Sequence, residues 1–130
     1  KDIRRFRQLK NIAEAAKDGS MEDLDAAPNN MVACANAAAC DQLWPKAVAY
    51  LRQHATTPVH TSGPNIVATA PAVRDEDVHL ALSRIQDKHG PGATLYLDAQ
   101  CKPTLSGDTT CTGPAAQRIL DGFAAAVAGP

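Results

Sequence analysis

Hydrophobic positions along the chain change period several times, and each change predicts an element. In residues 2–17, Ile3, Phe6, Leu9, Ile12, Ala13 and Ala16 recur at steps of three and four, the spacing of one helix face, and Gly19 is a natural stop. Ala26 to Asn30 reads as a loop. Residues 31–40 are alanine-rich and read as helical. A further helix is expected from about Gln42 to His54, with Leu43, Ala47, Val48 and Leu51 facing a core and Trp44 near one end. The period then drops to two. Val59 and Thr61 precede the turn Ser62-Gly63-Pro64-Asn65, and Ile66 to Thr69 follow it, which predicts a β-hairpin over 56–70 ended by Pro71. Leu95 and Leu97 alternate with Thr94, Tyr96 and Asp98, a strand over 93–100. Pro114, just after a cap at Thr112 or Gly113, opens a last helix to about Ala128. Its buried stripe would be Ala116, Ile119, Leu120, Phe123 and Val127.

Residues 75–89 support two readings. Asp75, Glu76 and Asp77 suit a helix start, Lys88 and His89 a last turn, and Gly90 a cap, with Val78, Leu82 and Ile85 on one face. Val78, Leu80 and Leu82 also alternate as a strand, with His89-Gly90-Pro91-Gly92 as a hairpin loop. The boundary signals favour the helix. Together the elements predict an α+β fold: an antiparallel sheet of three or four strands with helices packed on one face. A chain of 130 residues is one folding unit of ordinary size, divided here into an N-terminal helix and linker (1–30) and a disulfide-stapled domain (31–130).

Four cysteines change this picture most: Cys34, Cys40, Cys101 and Cys111. An even count suits an oxidising compartment, where disulfides persist. Four buried thiols in a cytosolic domain are the alternative. Two residues six apart on one continuous helix are separated by about 9 Å along the axis, and a disulfide needs Cα atoms within about 7 Å. Cys34 and Cys40 therefore cannot bond along one helix. Either the helix breaks between them, or each pairs with the distal cysteines. We expect the local bonds, with a break before Asp41, which offers an N-cap, and Pro45 in the first turn after it. Neither spacing matches the short knuckles of a zinc site, and no C-x-x-C redox motif is present. No cofactor and no metal are expected. A chain that opens on Lys1 reads as a mature or trimmed form, so membrane association is expected only through a removed N-terminal signal or anchor.

The net charge of −1 argues against nucleic acid as partner. Charge is unevenly placed, however. Lys1, Arg4, Arg5, Arg7 and Lys10 face Asp2 alone in the first ten residues, and Asp18, Glu22, Asp23 and Asp25 follow. This dipole suits either a membrane-surface or partner-binding arm, or a solvated helix face with an acidic linker.

No catalytic residues are assigned. His54, His60, His79 and His89 lack metal-binding spacing, and G-x-S-x-G is absent, so a Ser62–His60–Asp98 trio has no motif behind it. Asp98, if it points inward, needs a partner such as Arg84 or Lys102. The segment between Cys101 and Cys111 is the best surface candidate: polar, closed by a disulfide, with Leu105 as its apolar tip. Lys102, Thr104, Leu105, Asp108 and Thr109 are the candidate binding residues.

The run Cys40-Asp41-Gln42-Leu43-Trp44-Pro45-Lys46-Ala47-Val48-Ala49-Tyr50 resembles a pattern in small proteobacterial envelope proteins, many of them lipoproteins. In those a cysteine precedes a Leu-Trp helix, a two-strand segment follows, and a second cysteine pair comes late. The likeness covers about residues 34–111; the basic first helix and long last helix depart from it. It implies a periplasmic or surface location, no known catalysis, and a strand within 75–89, which leaves that segment open. Residues 2–17 with the Cys101–Cys111 loop also resemble type IV pilin-like subunits. The resulting expectation is an exported, non-enzymatic binding module whose partner is an unknown protein or envelope component. A pilin-like structural subunit is the alternative, and a small hydrolase the third reading.

Overall fold

A computed structural model describes residues 28–129; the amphipathic stretch 2–17 lies outside them. The described chain runs β1 (Met31–Cys34), α1 (Ala37–His54), β2 (Val59–Ser62), β3 (Ile66–Thr69), β4 (His79–Gln86), β5 (Ala93–Gln100) and α2 (Pro114–Ala128). The fold is α+β with two disulfides. Its sheet has five antiparallel strands in the order β1-β5-β4-β3-β2, more than the three or four expected. Leu82 pairs with Leu97, Leu80 with Ala99 and Val32 with Leu95. With the two-residue pleat this puts Val32, Val67, Leu80, Leu82, Leu95 and Leu97 on one face. Both helices pack there, bringing Ala47, Leu51, Phe123 and Val127 into the same core.

The extra strand is β1, and it corrects the helical reading of 31–40. Val32 and Cys34 alternate inward, and all four residues pair with β5 some sixty positions on, from Met31↔Tyr96 to Cys34↔Ala93. Local alanine propensity loses to that non-local pairing. The helix break therefore falls at Ala35–Asn36, not before Asp41. Asn36 is the N-cap: its side-chain oxygen accepts from the Ala39 N–H at 2.8 Å. Pro45 then lies inside α1, not in its first turn. Asp41 instead accepts from Arg84 Nη1 at 2.8 Å, tying α1 to β4. The reversal at 35–36 brings Cys34 on the strand and Cys40 on the helix to a Cα separation of 5.2 Å, and they are bonded. Cys101 and Cys111 form the other bond.

Segment 75–89 is a strand from His79 onward, so the helix-favouring boundary signals misled. The acids that resembled a helix start form a turn. Buried Asp77 closes it, accepting from the Val73 N–H at 3.0 Å and the Arg74 N–H at 2.9 Å. The β4–β5 hairpin packs tightly against the end of β1: a Cβ added to Gly92 would sit 2.7 Å from the Cys34 carbonyl. That contact explains why the loop residue is glycine.

Candidate functional site

Beyond Gln100 the chain leaves the sheet and turns back on itself. The Cys101 N–H donates to the Thr109 carbonyl at 2.8 Å, and the Thr104 N–H to the Asp108 carbonyl at 2.9 Å. The Gly107 N–H closes the tip on the Thr104 carbonyl at 2.9 Å. Gly107 has φ +85°, a conformation that L side chains resist. This is the pattern of a three-residue hairpin loop, Leu105-Ser106-Gly107. Side chains reinforce it: the Asp108 N–H donates to Thr104 Oγ1 at 3.2 Å and the Thr110 N–H to Asp108 Oδ1 at 2.8 Å. The Cys101–Cys111 bond closes the base. Leu105 projects from the tip, fully exposed.

A cleft of about 610 Å³ lies beside this loop. Its walls are the 101–105 arm, the 75–78 turn and the start of α2, with Val78 and Ala116 as buried apolar residues of the lining. Thr104, Thr110 and Thr112 add hydroxyls, and Pro103 and Leu105 add apolar surface. Lys102 Nζ meets Asp75 Oδ1 at 3.2 Å, linking the loop to the turn. Both groups are largely exposed, so the pair contributes about 0–1 kcal/mol. Gly113 opens α2 with no side-chain cap, and Pro114 occupies its first turn.

Of the candidate binding residues, Lys102, Thr104 and Leu105 line the cleft. Asp108 and Thr109 serve the loop's own hydrogen bonds. The residue that composition alone did not single out is Asp77. Two backbone N–H groups, with Thr56 Oγ1 and Arg74 also donating, hold its carboxyl far below the usual carboxylate range. Its acceptor capacity is spent on the turn, which makes it a positioning residue for the cleft wall. Its burial and its four hydrogen-bond donors distinguish it from Asp75 and Glu76, and the run of three adjacent acids gives no local sign of either.

The histidines make separate contacts. His54 meets Tyr50 in a tilted ring contact with centroids 4.2 Å apart, and His60 and His79 each meet a threonine hydroxyl at 3.3 Å. Strands β3 and β4 stand between Ser62 on β2 and Asp98 on β5, so the Ser62–His60–Asp98 trio is not brought together. Asp98 lies on the sheet face opposite the helices, and Arg84 and Lys102 pair instead with Asp41 and Asp75. None of His60, His79 or Asp98 lines the cleft.

Among the described residues no group of three or more histidine, cysteine or acidic side chains is placed to hold a metal, and no helix is long and apolar enough to cross a membrane. Two formed disulfides are consistent with an oxidising, extracytoplasmic setting. No protein-family model, curated protein or solved structure matches the chain.

Proposed function

We propose that this chain is an exported, non-enzymatic recognition module that engages a protein or other envelope component through the Cys101–Cys111 loop and the cleft beside it. The carrying observation is an apolar side chain, Leu105, held fully exposed on a loop fixed by a disulfide and its own hydrogen bonds. Solvent exposure of a lone leucine is ordinary; its presentation on a rigid support is the informative part. Ordering a mobile contact costs about 0.5–1.5 kcal/mol per side chain on binding, and a pinned loop has met much of that cost beforehand. The threonine hydroxyls and the Lys102–Asp75 pair supply a polar rim around an apolar centre, the usual layout of a small interface. The periplasm, the outer-membrane surface and the exterior are the locations where such bonds persist.

A photo-crosslinking side chain at position 105, in cells that naturally make the protein, tests this directly. The same group at the exposed Lys88 in the opposite hairpin loop is the control. A discrete adduct from position 105 and none from 88 is expected. Equal labelling from the two positions, or none from 105, overturns the proposal.

A further inference from the structure

The two disulfides sit in different surroundings. Cys34 and Cys40 are buried members of the core cluster, joining β1 to α1. Cys101 and Cys111 are half-buried at the core's edge, and their chain neighbours Lys102, Thr110 and Thr112 are exposed. Cys101 also lines the cleft. A thiol in solution therefore reaches the Cys101–Cys111 bond in the folded protein, whereas it meets Cys34–Cys40 only when the core opens. What each bond restrains differs too. Cys34 and Cys40 lie on elements already held by sheet register and core packing. No residue from Lys102 to Thr110 is buried, so that loop has no apolar anchor of its own. Backbone bonds from Cys101 to Thr109 and from Thr104 to Asp108 make it a short hairpin, and a hairpin of that size is marginal in water without further support. The accessible bond is thus the one on which local order depends.

We propose that Cys101–Cys111 is a thiol-exchange site through which a vicinal-dithiol reductant releases the loop while the rest of the fold stays in place. One thiolate of the reductant attacks a sulfur of the bond, forming a mixed disulfide and expelling the other cysteine as a thiolate, which takes up a proton. The reductant's second thiolate then displaces the remaining protein sulfur, which is protonated in turn, and the reductant leaves as its own disulfide. Two electrons and two protons have passed to the protein. The oxidised form is the resting state in an extracytoplasmic setting, and exchange with an oxidised thiol closes the bond again. Cys34–Cys40, shielded in the core, keeps β1 and α1 joined throughout. Loss of recognition on reduction rests on the binding role proposed above; release of the loop does not.

Timed exposure of the full chain to dithiothreitol under native conditions tests this, with alkylation and peptide mapping at each point and amide exchange followed in parallel. Cys101 and Cys111 are expected to be alkylated at least about tenfold sooner than Cys34 and Cys40, because local access needs no global opening. At that stage exchange should quicken at the Cys101, Thr104 and Gly107 amides and stay slow across β4 and β5. Removing the reductant and adding oxidised glutathione should restore the slow rates. Alkylation of all four cysteines at one rate, or of Cys34 and Cys40 first, overturns the proposal. So do loop amides that exchange no faster once their bond is open, a rise that spreads through β4 and β5, or protection that does not return on reoxidation. Neither readout needs a partner, so a failed crosslink at position 105 and a failed switch are told apart.

Discussion

Removing each disulfide in turn separates two physical contributions that point in opposite directions. Cys34–Cys40 closes a sequence separation of 6 and Cys101–Cys111 one of 10. Chain entropy alone gives about 2.2 kcal/mol for the first and about 2.7 kcal/mol for the second. Burial reverses the order. Cys34 and Cys40 are 5% and 0% exposed and belong to the core cluster, whereas Cys101 and Cys111 only pack against its edge. Deleting two packed sulfurs adds about 1 kcal/mol for each small void, and about half a kcal/mol in all suffices at the edge. Cys34→Ala/Cys40→Ala should thus cost about 4 kcal/mol and Cys101→Ala/Cys111→Ala about 3 kcal/mol. Urea unfolding of both pairs under the same oxidising conditions checks this. The difference corresponds to a midpoint shift of about 0.5 M. An equal or larger loss for the 101–111 pair would refute the assignment of Cys34–Cys40 as a core element.

Other consequences follow from single contacts. Asn36→Ala removes the N-cap of α1 and should cost about 1 kcal/mol, while Asp41→Ala loses only a pair whose carboxylate is 69% exposed, at most about 1 kcal/mol; a larger loss at Asp41 in chemical denaturation would put the helix start back at the later position. Gly107→Ala forces φ +85° on a residue with a Cβ, at about 1–2 kcal/mol, and should speed hydrogen exchange at the Thr104 and Gly107 amides while leaving β4 and β5 unchanged. Asp77 has a folded-state pKa below its unfolded value, so its contribution is complete above about pH 4 and is lost as pH falls. The stability gap between the natural chain and Asp77→Asn should therefore be constant above about pH 5 and narrow as pH falls below about 4, and a gap that stays flat down to about pH 2 speaks against the turn-closing role.

Elements whose specification is local were legible before any coordinates. The β2–β3 hairpin follows from Ser62-Gly63-Pro64-Asn65, β5 from the Leu95/Leu97 alternation, and α2 from Pro114 and its apolar stripe. Elements specified by distant partners were not. Nothing within Met31–Cys34 outweighs its alanine-rich surroundings; β1 exists because β5 offers a backbone edge. Asp41 resembled a cap because it precedes Pro45, yet Asn36 lies nearer the chain reversal the disulfide demands. In 75–89 the acids that imitated a helix start are a turn, and buried Asp77 accepts a hydrogen bond from Thr56, 21 positions away. The same division runs through the site. Cysteine spacing and Gly107 mark the loop, but the opposing wall comes from the 75–78 turn, which only the folded sheet end brings alongside.

Recognition through a pinned loop in an oxidising compartment requires both bonds to be formed in the cell. Alkylating free thiols before lysis, then mapping non-reduced peptides of the natively produced protein, reads this directly. The predicted result is linked peptides for Cys34–Cys40 and Cys101–Cys111 with no alkylated cysteine. Four alkylated thiols would contradict both the location and the proposed binding surface.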